Sequence, residues 1–171
     1  MGEFEYTNMS DFKVDATAFS PETQPTFVNY VEGIYVGYKF YETAATEGLI
    51  DYDKTVQYPF GYGLSYSTFE QKIVNSSTEG DTVTLTVEVK NTGSVAGKDV
   101  VEVYYNPPYT NGGIEKSSAN LVTYTKTGSI EPGATQTVEV SFDKEDMASY
   151  DSKTAKAYVL EQGDYVVSIN S

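Results

Sequence analysis

Strict alternation of apolar and polar residues marks the second part of the chain. In residues 82–90 the apolar positions are Val83, Leu85, Val87 and Val89. Successive side chains of a strand point to opposite faces, so this pattern predicts a strand with one buried face. Residues 137–142 repeat the pattern, and we expect Val138, Val140 and Phe142 to point inward. Residues 99–105 are denser in valine and tyrosine, which predicts a strand at the centre of its sheet.

Short strands separated by turn-forming residues favour one fold class. Turn residues that accept positive φ or fix a bend occur in Glu79-Gly80-Asp81, Asn91-Thr92-Gly93, Asn111-Gly112-Gly113 and Glu131-Pro132-Gly133. Residues 144–147 are predicted to form one helical turn. The predicted strands are 69–74, 82–90, 99–105, 121–127, 137–142, 155–160 and 164–169. This number of strands in about 100 residues is typical of a fibronectin type III or immunoglobulin-like antiparallel β-sandwich. A jelly roll or another all-β arrangement is the alternative.

The first 68 residues lack the alternating strand pattern of the rest of the chain. We therefore treat residues 1–68 as an extension and residues 69–171 as the sandwich. Residues 1–26 show no hydrophobic period and are predicted to be irregular. Residues 27–41 are strongly aromatic, and a short helix is expected near 34–45, with Ile34, Tyr38 and Tyr41 on one face. The extension is too small and irregular to form its own core, so we expect it to pack on the sandwich or on other domains.

Composition removes several kinds of chemistry. The 171 residues contain no His, Cys or Trp, and all 11 basic residues are lysines. Without His and Cys, the usual zinc, haem and iron–sulfur ligand sets and the Ser–His–Asp or Cys–His catalytic units cannot be built. Disulfides are also excluded, so stability must come from a packed core. We expect no cofactor.

The net charge of −14 argues against nucleic acid as a partner, because phosphate binding needs basic patches. No run approaches the roughly 18 apolar residues of a membrane span, so we expect no membrane insertion. Residues 1–5 lack the basic and apolar regions of a signal peptide, which favours a cytoplasmic location.

Two motifs of the extension stand out. The first is the run from Tyr30 to Tyr41, which contains Glu32-Gly33-Ile34 and Gly37-Tyr38. The second is Tyr58-Pro59-Phe60-Gly61-Tyr62-Gly63-Leu64-Ser65-Tyr66. Together they resemble the C-terminal region of glycoside hydrolase family 3. In the sandwich, Asn91-Thr92-Gly93, Ala96-Gly97 and the following Val100-Val101-Glu102-Val103-Tyr104 resemble the family's fibronectin type III-like domain. The resemblance covers about residues 27–170.

The resemblance implies a part of a larger enzyme that hydrolyses β-D-glucosides or related β-glycosides with retention. Such enzymes place an Asp nucleophile in a barrel and a Glu acid/base in an α/β domain, with the carboxyls about 5 Å apart. This chain would hold the end of the α/β domain and the whole sandwich, but neither catalytic carboxylate. Its partners would be the missing barrel and α/β domains, and a β-glycoside would be bound only through the complete enzyme. The chain alone is therefore expected to be inactive.

Six aromatic residues are the candidates for a contact with other domains or for the rim of an active site. They are Tyr30, Tyr35, Tyr38, Tyr41, Phe60 and Tyr62. Interfaces are enriched in tyrosine, so packing between domains is favoured over stacking on sugar rings. Asp51 and Asp53 could hold Ca²⁺, but solvated loop residues are the simpler interpretation.

Two functional hypotheses follow. The chain is either a non-catalytic structural part of a family 3 β-glycosidase or a sandwich module that binds carbohydrate or protein by itself. Without its partner domains, the extension should fold back on the sandwich or self-associate through its aromatic surface.

Overall fold

The computed structural model describes residues 31–170. The extension contributes two short α-helices, and most of the regular structure in the rest of the described chain is strand. The elements are α1 Tyr38–Thr46, α2 Tyr52–Thr55, β1 Phe69–Glu79, β2 Thr82–Asn91, β3 Val100–Asn106, β4 Asn120–Lys126, β5 Thr135–Asp143, β6 Ser149–Asp151, β7 Ala157–Val159 and β8 Val166–Ile169. Neither helix within residues 31–170 is long and apolar enough to cross a membrane.

Two three-stranded antiparallel sheets form the sandwich. One sheet has the order β1-β2-β5 and the other has the order β4-β3-β8, while β6 and β7 form a separate hairpin. Gly80, with φ of 60°, makes the tight connection between β1 and β2, as the turn chemistry predicted. The predicted class, an antiparallel fibronectin type III-like sandwich, is confirmed.

The hydrophobic core lies between the two sheets. From β2 it receives Leu85, Val87 and Val89, which are at most 3% exposed. From β5 it receives Val140 and Phe142, with Val138 partly buried against them. The alternating pattern of these two strands therefore predicted the buried face correctly.

Strand β3 is buried on both faces. Val101, Val103 and Tyr105 point into the core, whereas Tyr104, only 2% exposed, lies on the opposite face. Something other than the facing sheet must cover Tyr104. That cover is the extension, which packs on the outer face of the β4-β3-β8 sheet through Tyr38.

Several boundaries differ from the predictions. Helix α1 begins at Tyr38, four residues after the predicted start, because Gly37 precedes it with φ of 60° and ψ of −131°, outside the helical region. Ile34 therefore lies outside the helix and is 43% exposed, so its predicted place on a helical face was wrong. Strand β1 continues past Val74 to Glu79, and β6 (Ser149–Asp151) was not predicted. The predicted turn at Lys144–Met147 is a 3₁₀ helix capped by Asp143.

Candidate functional site

Tyr38 is the residue through which the extension contacts the sandwich. Its hydroxyl accepts a hydrogen bond from the backbone N–H of Leu121 at 2.8 Å, at the start of β4. Its ring packs edge-on against Tyr104, with centroids 6.1 Å apart, and lies tilted against the ring of Phe60, with centroids 4.7 Å apart. Because Tyr38 is the first residue of α1, these contacts fix the start of the helix on the sheet.

Glu102 and Tyr104 form a polar pair beneath the loop that carries Phe60. The Tyr104 hydroxyl donates to Glu102 Oε2 at 2.7 Å. Burial, and then the hydrogen bond to Glu102, raise the pKa of Tyr104 well above its usual range. Gly61 lies directly on this carboxylate, since a Cβ at Gly61 would stand 2.6 Å from Glu102 Oε2. Gly61 also has φ of 80°, so the position favours glycine on two grounds.

A second set of contacts joins α1 and the residues just before it to the loop between β3 and β4. The Thr43 hydroxyl accepts from the backbone N–H of Ser118 at 3.0 Å. The Tyr35 hydroxyl donates to Glu115 Oε2 at 2.8 Å. Burial, followed by this hydrogen bond, raises the pKa of Tyr35 to about 12. The extension is thus attached to the sandwich by hydrogen bonds as well as by aromatic packing.

Asn91 fixes the point where the extension enters the sandwich. Its side chain is fully buried, and its Oδ1 accepts from Ser67 Oγ at 2.6 Å and from Gly93 N at 2.9 Å. Its Nδ2 donates to the carbonyl oxygens of Val95 and Ile130, both at 2.8 Å. Every polar atom of the side chain is therefore paired, as burial requires.

Gly93 owes its place to close packing rather than to a special φ. A Cβ at Gly93 would lie 2.1 Å from the hydroxyl oxygen of Ser67, while Gly93 is not among the residues with positive φ. The turn predicted at Asn91-Thr92-Gly93 is present as a bend, closed by the bond from Gly93 N to Asn91 Oδ1, and it uses no positive φ. The buried hydrogen bonds of Asn91 were not predicted.

The loop from Tyr58 to Tyr66 presents apolar side chains to the exterior. Leu64 is 93% exposed and Tyr66 is 97% exposed, although the next residue, Ser67, is buried. Tyr58 and Tyr62 are also exposed and pack on each other with ring centroids 4.9 Å apart. The loop therefore has a rigid attachment and an uncovered apolar face within the described chain.

The six candidate aromatics do not share one environment. Tyr38 lies in the contact with the sandwich, Phe60 packs on it while 45% exposed, and Tyr35 is hydrogen-bonded to the β3–β4 loop. Tyr41 and Tyr62 are exposed, and Tyr30 lies outside the described residues.

Asp51 and Asp53, the two acidic residues considered for Ca²⁺ binding, lie in different environments. Asp51 forms an ion pair with Lys54 at 2.6 Å on the short helix α2, whereas Asp53 lies in the first turn of that helix. Among residues 31–170 no group of three or more acidic side chains is arranged to hold a metal ion.

Asn91 and Glu102 lie inside the sequence motifs, but the sequence assigned no specific role to them, to Ser67 or to Lys116. Lys116 is 6% exposed, donates to the carbonyl oxygen of Pro108 at 2.6 Å and pairs with Glu161. A polar residue inside a motif, such as Asn91 before Thr92-Gly93, is the signal that could have been followed. Some partners of these residues are close in the sequence, such as Tyr104 to Glu102. Others, such as Ser67 and Ile130 to Asn91 or Glu161 to Lys116, are 24 to 45 positions away, so the pattern does not reveal them.

Comparison with known proteins agrees with this architecture. A family model described as a fibronectin type III-like domain matches residues 99–171. Beta-glucosidase A of Butyrivibrio fibrisolvens is 38% identical over 157 residues, which cover 81% of this chain and 18% of that protein.

Solved structures give the same result. Beta-glucosidase 3B from Thermotoga neapolitana, in complex with alpha-D-glucose, superposes with a TM-score of 0.70 at 36% identity, over 90% of this chain and 20% of that one. The GH3 beta-glucosidase of Bifidobacterium adolescentis gives a TM-score of 0.69 at 31% identity, over 85% of this chain and 20% of that one. The chain thus spans about a fifth of the length of the relatives it matches.

Proposed function

We propose that this chain, which is homologous over most of its length to family 3 β-glucosidases and carries their fibronectin type III-like domain, is a non-catalytic structural part of such an enzyme. In the complete enzyme, residues 69–171 form the sandwich and residues 1–68 link it to the catalytic domains. The enzyme hydrolyses terminal β-D-glucosides or related β-glycosides. The role of this part is to brace the domains that hold the two catalytic carboxylates.

One observation carries the bracing role. Leu64 and Tyr66 are almost fully exposed, yet the loop that holds them is fixed on one side by Ser67 and Asn91 and on the other by Phe60 and Tyr38. Burying a large apolar side chain contributes about 1.5–3 kcal/mol. An ordered loop that leaves two such side chains in water is well suited to dock against another domain, because little entropy is lost on docking.

The absence of catalysis is tested with the purified chain and an aryl β-glucoside. We expect turnover equal to that of buffer, while an intact family 3 β-glucosidase serves as the positive control. Turnover that copurifies with the chain through successive columns would contradict the non-catalytic assignment.

The bracing role is tested in the complete enzyme. We expect the enzyme without residues 31–171 to lose activity and thermal stability, and the separately produced chain to restore part of both when added back. A truncated enzyme that keeps its activity and melting temperature would contradict bracing.

A further inference from the structure

A cleft of about 780 Å³ opens between α1 and the loop that joins β3 to β4. Pockets for small ligands usually measure about 300–1,000 Å³, so this cleft is large enough for a mono- or disaccharide. The bracing role makes no use of it, since the exposed loop of residues 58–66 does not line it.

The two walls of the cleft are held together by hydrogen bonds. Thr43 accepts from Ser118 N at 3.0 Å, and Thr46 Oγ1 donates to Ser118 Oγ at 3.3 Å. Asn106 donates from its side chain to the Ser118 carbonyl oxygen. The cleft is therefore a preformed feature, and a ligand would not have to order its walls on binding.

The one lysine at the cleft is already neutralised. The side chain of Lys116 is only 3% exposed, and its ammonium group pairs with Glu161 and donates to the Pro108 carbonyl oxygen. The remaining charges that line the cleft are those of Glu47 and Glu115. The cleft therefore disfavours anionic ligands such as phosphorylated sugars.

Aromatic and carboxylate groups converge at the mouth of the cleft. Tyr109 is 49% exposed, and Tyr35 donates to Glu115 at 2.8 Å. Tyr35, Glu47, Tyr109 and Glu115 all line the cleft. Glu115 keeps acceptor capacity beyond the bond from Tyr35, because an ionised carboxylate has about four lone-pair sites.

We infer that this cleft binds a neutral saccharide, with a sugar ring against the face of Tyr109 and its hydroxyl groups donating to Glu115 and Glu47. Sugars present an apolar C–H face and a rim of hydroxyl donors, which match an exposed tyrosine beside carboxylates. Besides these two carboxylates, the lining consists mostly of residues with neutral hydroxyl and amide groups, which favours a sugar. An organic amine, which the carboxylates would also attract, is the alternative that the spermidine titration tests.

The test is an NMR titration of the purified chain with glucose and cellobiose, with spermidine and glucose 6-phosphate as cationic and anionic probes. We expect saturable shifts of residues 35–47 and 106–118 with the neutral sugars. Replacing Tyr109→Ala should weaken binding about tenfold, a loss near the upper end for one aromatic contact. Glu115→Gln should also weaken it.

Matched controls separate the cleft from the general surface. Tyr124→Ala removes a tyrosine that is 69% exposed on β4, and Glu88→Gln changes an exposed carboxylate on β2. Neither change should alter the sugar affinity, and all four variants should keep the melting temperature of the parent chain. Absence of saturable sugar binding, binding that survives both cleft variants, or tighter binding of spermidine than of cellobiose would each overturn the inference. None of these results would bear on hydrolysis or bracing.

Discussion

Two aromatic stretches of the extension have similar composition and opposite environments. The segment around α1 is attached to the sandwich, where Tyr38 contacts Tyr104 and Leu121 and Tyr35 contacts Glu115. The loop of residues 58–66 leaves Leu64 and Tyr66 in solvent. The difference teaches that aromatic density alone does not determine burial. The attached segment has backbone and carboxylate partners for its hydroxyl groups, whereas the loop presents its side chains outward from a fixed base.

The largest effect should come from the base of the loop. We expect Asn91→Ala to lower the free energy of unfolding by about 3 kcal/mol, because a fully buried side chain loses four hydrogen bonds at once. Chemical denaturation measures this loss. The control Asn75→Ala, at an exposed position of β1, should stay within about 0.5 kcal/mol. Equal effects at the two positions would mean that Asn91 is not a stabilising node.

The contrast between the two stretches is tested directly by two tyrosines. Tyr38→Ala should cost about 2 kcal/mol, since it removes a half-buried ring and the acceptor for Leu121 N. Tyr62→Ala, at a position 55% exposed, should cost less than about 0.5 kcal/mol. Thermal melts of both variants measure these losses. A larger loss of stability in Tyr62→Ala than in Tyr38→Ala would contradict the contrast between the two stretches.

Two glycines of the loop provide a finer test. Gly61→Ala should cost about 1 kcal/mol, because its Cβ would meet the Glu102 carboxylate and its φ is 80°. Gly63→Ala should be nearly neutral, since nothing lies within 4 Å of a Cβ there. Denaturant midpoints would distinguish the two variants. Equal midpoints would show that Gly61 does not pack closely against the Glu102 carboxylate.

The smallest effect concerns alkaline pH. The pKa of Tyr35 is raised to about 12 in the folded chain, so the unfolded chain loses this proton first. The resulting stabilisation is complete below about pH 10 and disappears as the pH rises through about 12. We expect Tyr35→Phe to flatten the decline of stability between these values, measured by denaturation at stepped pH. An unchanged slope would contradict a raised pKa for Tyr35 in the folded chain.

Local patterns predicted most of the fold. The alternation of Val83, Leu85, Val87 and Val89 predicted both the strand and its buried face, because a half-buried strand has a period of two. Strand β6 was missed because Ser149-Tyr150-Asp151 is too short and too polar to show a period. The helix start was placed too early because the left-handed φ of Gly37 cannot be read from periodicity.

The site was less predictable than the fold. The motif residues Tyr38 and Gly61 were singled out, but their partners Leu121 and Glu102 are 83 and 41 positions away. Only the folded topology brings such groups together. The family motifs singled out the aromatic residues of the extension. They did not indicate which of these residues the sandwich covers and which remain exposed.

The central claim is that the exposed loop docks the sandwich onto the catalytic domains. The most direct measurement is the affinity of this chain for the remaining domains of the complete enzyme, produced separately. We expect the double variant Leu64→Asp, Tyr66→Asp to weaken that association at least tenfold, about 1.4 kcal/mol or more, without lowering its own melting temperature. The control Tyr158→Asp changes a tyrosine that is 76% exposed on β7 and should bind like the parent chain. Unchanged affinity of the double variant, or an equal loss in the control, would contradict the claim.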